Sequence, residues 1–250
     1  MGVINISPES FFSGSYVSED KIRQKAEEMI TQGADIIDIG ARSTAPGSNP
    51  ISIQEEKKRI AHALRSLDGS GITISIDTMH PEVLEEAMKH EIHAVNDISG
   101  LINEVMAHNI SDSGLPAVLM ATTKTPGDSI TFSETISALS QVTQRAMNAE
   151  IPSYILDPAI GRWILERGSE QDFELCRRFT ELHVFDRPLL AAVSRKSFIG
   201  SATGREPQDR LAGTLGVTAC LIQAGAAMIR CHDVPETRDL VTVISCIQGA

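Results

Sequence analysis

Aromatic residues are scarce in this chain: one Trp, two Tyr and seven Phe among 250 residues. So few rings argue against a stacking platform for single-stranded nucleic acid. Positive charge is short as well. Lys and Arg number 22 against 33 Asp and Glu, a formal net charge of −11. Such a surface repels both a phosphate backbone and an anionic bilayer, so neither nucleic acid nor membrane is expected as a partner. No apolar run reaches the roughly 20 residues that a membrane-spanning helix needs, and the first residues carry no signal-peptide pattern. The four cysteines, Cys176, Cys220, Cys231 and Cys246, form no Cys-x-x-Cys pair. That spacing points to reduced thiols in a cytoplasmic protein and away from a zinc site or a disulfide frame. The first apolar run is followed by no Gly-x-Gly-x-x-Gly, the dinucleotide fingerprint. No Gly-x-Ser-x-Gly elbow presents a serine nucleophile. His90-Glu91-Ile92-His93 falls one residue short of the zinc-protease pattern.

What is present is a repeated alternation in ordinary globular composition, 42% apolar and 22% charged. Eight short apolar runs occur: Val3-Ile4, Asp35 to Ile39, Ile72 to Ile76, Ile92 to Val95, Ala117 to Met120, Tyr154 to Leu156, Leu189 to Val193 and Ala226 to Ile229. Amphipathic stretches lie between them, over 19–32, 52–67, 81–89, 104–111, 132–149, 170–182, 207–223 and 235–247. Short β-rich runs alternating with helices predict a parallel sheet covered on both faces. Eight such units in this length match a (β/α)8 TIM barrel, expected as a single domain over residues 1–250. A doubly wound open sheet is the alternative.

A barrel places its chemistry at the carboxyl ends of the strands. Those ends read Asn5, Asp38, Asp77, Asn96, Met120, Asp157, Ser194 with Lys196, and Arg230 with His232. Ser194-Arg195-Lys196-Ser197 after an apolar run is poor core material. It should line a cleft for something electron-rich or anionic. Asp77, Asn96 and Asp157 together offer acceptors and an amide, which suits the edge of a flat heterocycle bearing several N–H donors. Taken singly, each also fits a loop cap, and Asp38 also fits a satisfied carboxylate inside the barrel. Lys196 and Arg230 supply cations, and His232 adds a donor suited to phosphate.

These residues, in this order, resemble dihydropteroate synthases. The similarity is carried by Asn5-Ile6-Ser7-Pro8-Glu9-Ser10-Phe11, Ile76-Asp77-Thr78, Val95-Asn96-Asp97-Ile98-Ser99-Gly100, Asp157-Pro158-Ala159-Ile160-Gly161, Ser194 to Gly200, and Arg230-Cys231-His232-Asp233. The resemblance implies a TIM barrel, a homodimer, and a transferase that condenses a dihydropterin-methyl diphosphate with an aryl amine such as p-aminobenzoate. It implies Lys196, Arg230 and Asp77 as catalytic residues. Asp77, Asn96, Asp157, Lys196 and Arg230 would hold the pterin, and Asn5, Thr44, Arg230 and His232 the diphosphate. Thr44, Pro46, Ser197 at a helix N-terminus, and Arg162 would border the aryl amine. Mg²⁺ is the implied cofactor, with Asn5 as its ligand.

The chain also departs from the family pattern. Glu9 and Ser13 stand where Asp is usual. The second loop reads Ala41-Arg42-Ser43-Thr44-Ala45-Pro46-Gly47 in place of Gly-Glu-Ser-Thr-Arg-Pro-Gly, and Arg162-Trp163-Ile164 replaces Phe-Gly-Lys. An intact pterin half with an altered acceptor half is expected, and Arg42 and Arg162 could serve a larger, phosphorylated acceptor or lie on the surface. A pterin-dependent methyltransferase and a non-catalytic pterin-binding protein are the competing functions.

Overall fold

Near-continuous apolar strands suit a parallel sheet buried on both faces, and here that sheet closes on itself. A computed structural model describes residues 1–7, 17–18, 21–42 and 50–249. Its strands are β1 (Gly2–Asn5), β2 (Ile37–Gly40), β3 (Ile74–Asp77), β4 (Ala94–Asp97), β5 (Ala117–Met120), β6 (Tyr154–Asp157), β7 (Leu190–Ala191) and β8 (Met228–Ile229). The first six pair in sequence order and β7 pairs with β8, all in parallel. Parallel bridges Leu156 to Leu189 and Gly2 to Cys231 join the two sheets at both seams. The fold is a TIM barrel.

Register alone aligns the mouth. Asn5 pairs with Gly40, Gly40 with Asp77, and Asp77 with Asn96. Side chains in one row of a parallel sheet share a face, so Asn5, Asp77 and Asn96 come from three strands to one level. Asp38 lies two residues below Gly40 and faces the same way. Deeper inside, Met1, Val118, Leu190 and Ala192 form a small apolar plug. The outward residues Ile37, Ile39, Ile76, Val95, Leu119 and Leu156 are fully buried against the helices. Each such burial contributes about 1.5–3 kcal/mol before conformational entropy is counted.

The helices are α1 (Ile22–Thr31), α2 (Ile53–Leu67), α3 (Pro81–Ala87), α4 (Glu104–Ser113), α5 (Phe132–Asn148), α6 (Ser169–Arg177), α7 (Ser197–Thr203), α8 (Leu211–Gln223) and α9 (Val234–Gln248). Local chemistry sets their ends. Ser52 caps α2 by accepting from the Glu55 N–H, and Pro81 opens α3. Thr131 and Glu134 form a capping box on α5, and Gly114 in the left-handed region ends α4.

The structure corrects several sequence boundaries. Strands β3, β4 and β6 run on into Asp77, Asn96-Asp97 and Asp157, because ladder bonding continues past the last apolar residue. The run 189–193 contributes only Leu190–Ala191 as strand, since the chain then curls toward Arg195, held at φ +56°. Ser197, implied to stand at a helix N-terminus, opens α7. The expected helix from Pro207 begins as a 3-10 turn, Pro207–Asp209, before α8. The expected helix over 170–182 is α6 followed by a 3-10 turn, Phe179–Phe185. His90 and His93 turn to separate partners, Asp68 Oδ2 at 2.9 Å and the Ile74 N–H at 3.2 Å.

The turn after β4 is tightly determined. The Asp97 carboxylate accepts from the Ser99 and Leu101 N–H groups, both at 2.8 Å. Gly100 sits at φ +59°, and a Cβ there would lie 2.5 Å from the Met120 carbonyl oxygen. Backbone cannot yield as a side-chain tip can. Gly100→Ala should therefore destabilise the protein by about 1–3 kcal/mol, read as a lower urea midpoint at unchanged m-value.

Candidate active site

Arg230, one residue past β8, reaches across the barrel mouth to two carboxylates. Its Nε donates to Asp38 Oδ2 at 2.7 Å and its terminal nitrogen to Asp77 Oδ2 at 2.8 Å. Asp38 is fully buried, and the same oxygen accepts from the Asn96 side-chain amide at 3.0 Å. Asp38 is thus the buried carboxylate inside the barrel that the sequence allowed, and it orients both Arg230 and Asn96. The amide assignment leaves Asn96 Oδ1 without a donor, and Asp38 Oδ1 likewise lacks one. Buried acceptors of this kind are costly unless something fills them. Burial pushes the Asp77 carboxyl up to about 7, even against the pull of Arg230.

Facing this row is Lys196. Its Nζ donates to the Ile160 carbonyl and lies 5.3 Å from the centre of the Trp163 ring, within cation–π range. Gly161 makes room for the lysine stem, since a Cβ there would sit 2.7 Å from Lys196 Cδ. Burial, opposed by Asp157 and Asp172, pushes the ammonium down to about 8. Asp157 is raised for the same reason, with Lys196 holding it back. One Asp157 oxygen accepts the Ala159 N–H at 2.8 Å.

On the third side, His232 Nδ1 meets Ser194 Oγ at 2.9 Å, and the same hydroxyl accepts the His232 N–H at 3.2 Å. Burial and the neighbouring Arg230 push the imidazole down to about 4, so it is neutral at pH 7. Arg195 faces away from the mouth. It forms a bidentate pair with Asp233 at 2.8 and 2.6 Å and donates to the Pro207 and Gln208 carbonyls. Of two adjacent cations, one builds the wall and the other lines the cleft.

Asn5 closes β1 with its Oδ1 accepting the Ser7 N–H at 2.9 Å. Ser197 is half-buried at the first turn of α7. Arg162 is exposed on the loop after β6 and donates to the Leu165 carbonyl at 3.1 Å. Thr44 and Pro46 lie outside the described residues, as do Glu9 and Ser13. Arg42 is not a surface residue. Its Nε pairs at 2.6 Å with Glu56, a carboxylate 1% exposed that also accepts from Thr78 Oγ1 at 2.8 Å. Sequence reasoning passed over Glu56, Arg167, Asp172 and the ring of Trp163. Glu56 sits in the run Glu55-Glu56-Lys57-Lys58-Arg59, which reads as a solvated helix face. Only the helical spacing to Ile60 and Leu64 marks it as inward.

The family model described as pterin binding enzyme matches residues 1–232. The chain belongs to that family. Pterin-binding enzymes named dihydropteroate synthase are its curated relatives. That of Escherichia coli K12 is 32% identical over 262 residues, covering 100% of this chain and 92% of the relative. Among solved structures, a Clostridium difficile dihydropteroate synthase determined in the presence of pteroic acid superposes with a TM-score of 0.88 at 34% identity, covering 99% of this chain and 95% of that one. A Xanthomonas albilineans dihydropteroate synthase with 4-aminobenzoic acid has a TM-score of 0.88 at 29% identity, covering 100% and 93%. This pterin-binding enzyme is a transferase of the dihydropteroate synthase type.

Removing Asp38 strips Arg230 and Asn96 of a shared, fully buried partner. Asp38→Ala should cost about 3–5 kcal/mol, the usual penalty for breaking a buried pair, and should weaken pterin binding. Thermal unfolding and fluorescence titration check the two effects.

Proposed function

We propose that the protein joins a dihydropterin-methyl diphosphate to an aryl amine of the p-aminobenzoate class and releases pyrophosphate. The observation that carries this reading is the set of acceptors at the mouth: Asn96 Oδ1 without a donor, beside Asp77 and Asp157. A pterin edge supplies several N–H donors in one plane and would satisfy them together. Lys196 would address the ring oxygen and nitrogen, and Arg230 would lie along the ring. In the reaction the exocyclic carbon loses its bond to the diphosphate oxygen and gains one to the amine nitrogen, which gives up a proton to solvent. Arg230 and the neutral His232 N–H would meet the charge that grows on the leaving group. Asn5 supplies one hard oxygen at the rim. That suits Mg²⁺, which keeps few protein ligands and takes the rest from phosphate and water. When bound, the ion would neutralise diphosphate charge. Thr44 and Pro46 would border the acceptor, with Ser197 near its carboxylate and Arg162 at its outer edge.

A larger, phosphorylated acceptor has less support than its extra arginines suggested, because Arg42 is committed to Glu56. Arg162 alone remains available to it. The methyltransferase reading leaves Arg230 and His232 without a diphosphate to address. A cytoplasmic location accords with free thiols on the exposed Cys220 and Cys246. No helix among the described residues is long and apolar enough to cross a membrane. A homodimer would use α8, which is apolar around its whole girth and exposes Ala212 and Gly216, together with Val243 and Ile247 on α9, 56% and 76% exposed. Light scattering should give twice the monomer mass, and Gly216→Arg should return it to monomer.

The direct test mixes protein, Mg²⁺, dihydropterin-methyl diphosphate and p-aminobenzoate. Pyrophosphate release that depends on the amine supports the synthase reading; pterin binding without release under any amine overturns it. The pH profile of kcat/KM should be bell-shaped. Asp77 must be ionised to accept N–H bonds, so activity falls as pH drops through about 7. Lys196 must be protonated, so activity falls again as pH rises through about 8.

A further inference from the structure

One peptide unit near the mouth carries opposite charges at its two ends. The N–H of Gly161 donates to Asp172 Oδ1 at 2.8 Å, while the carbonyl of Ile160 accepts from Lys196 Nζ. A peptide dipole of about 3.5 D runs between these groups, and an anion at its N–H with a cation at its oxygen both favour this one orientation. Asp172 itself stays away from the mouth. It lies on α6, 1% exposed, and the same oxygen accepts Arg167 Nε at 2.9 Å. Arg167 is also 1% exposed and reaches on to the Ser129 carbonyl at 3.0 Å, in the segment after β5. Two loops, after β5 and after β6, thus converge with α6 on a buried ion pair, and the 160–161 peptide transmits its position to the lysine.

A pair placed only for stability is the plain alternative. Energetics do not favour it, because burying two charges commonly gains nothing over well-packed apolar residues. The bonding pattern is also uneven. Asp172 Oδ1 takes both donors, while Oδ2 is buried with none. The carboxylate is turned to serve the Gly161 N–H at the expense of its other oxygen. Gly161 adds a second constraint: at φ +123° it holds its peptide where only glycine leaves space for the lysine stem.

The geometry points to Asp172 and Arg167 as positioning residues for Lys196, acting through the Ile160–Gly161 peptide. This inference rests on the proposal that Lys196 serves the pterin. The charged groups facing Lys196 are Asp157 at the end of β6, Asp172 on α6, Arg167 just before it, and Arg230 after β8. The two aspartates raise its proton affinity and the two arginines lower it.

The two members of the pair should therefore act with opposite sign. Carbon-labelled reductive methylation followed by NMR titration reads Lys196 directly, with Lys196→Arg assigning the signal. Asp172→Asn should move its midpoint below that of the wild type. Arg167→Met should move it above. In turnover, Asp172→Asn should lower kcat/KM by up to about a hundredfold, the cost of ångström-scale misplacement. A structural role alone would leave both midpoints in place or move them in the same direction, and a pair acting on Lys196 by charge alone would shift the midpoints while leaving kcat/KM unchanged at each variant's own pH optimum; any of these results overturns the inference. Should Asp172→Asn fail to fold, the upward displacement in Arg167→Met still decides. If the wild type releases no pyrophosphate with any amine, the proposed reaction fails while the titration still reports on the positioning.

Discussion

Two carboxylates inside the barrel must share one guanidinium. Asp38 and Asp77 come from neighbouring strands, and Arg230 arrives from beyond β8, across the seam where the ring closes. An unpaired charge at the fully buried Asp38 would cost several kcal/mol, more than any single apolar contact in the wall returns. The carboxyl mouth is therefore well ordered only when β8 has docked beside β1. Closure of the barrel and assembly of the site are one event. Asn96 follows from it, because Asp38 fixes which way its amide points.

The same burial sets the protonation of the site. Asp77 and Asp157 are raised and Lys196 and His232 lowered, each chiefly because the enclosed mouth disfavours charge. Acids and bases that are far apart in water are drawn toward neutrality. With Asp77 drawn up and Lys196 drawn down, the span of pH over which both are charged is narrower than it would be in water. The polarity of the rim and the dryness of the barrel thus act in opposition, and that opposition keeps the groups responsive to a bound ligand.

Much of this was legible in the sequence. Eight apolar runs with helices between them pointed to the barrel, and the residues just beyond the runs singled out Asn5, Asp77, Asn96, Asp157, Lys196, Arg230 and His232. Strand register then brings Asn5, Asp77 and Asn96 to one level. Other features could not be read. Hydropathy marks β7 as five residues when only two keep ladder bonds, since the departure is forced by the turn at Arg195. Nor does a sequence say which of two adjacent cations faces inward. Arg195 and Lys196 differ in role because a planar fork can chelate Asp233 while a flexible ammonium reaches a single carbonyl. Glu56 and Asp172 were hidden for a related reason: an acidic residue on a helix is usually solvated, and only weak helical spacing at Glu56, or the arginine that pairs with it, marks such a residue as buried.

Those hidden residues have a common place in the architecture. Arg42 with Glu56, Arg167 with Asp172 and Arg195 with Asp233 are ion pairs largely withdrawn from solvent. Arg42 and Arg195 stand just after β2 and β7, and Arg167 closes the loop between β6 and α6. Desolvation cancels most of what such pairs gain by attraction, so net stability is a weak account of three in one ring. Direction is a better one. A buried guanidinium fork accepts few orientations of its carboxylate, so each pair fixes the backbone that carries its two partners. Apolar packing could hold these segments as tightly, but many side chains of similar volume would fit, and the loops could settle in several ways. At a mouth where Lys196 must meet one peptide carbonyl and Asn96 one carboxylate oxygen, the more demanding contact is the more useful one.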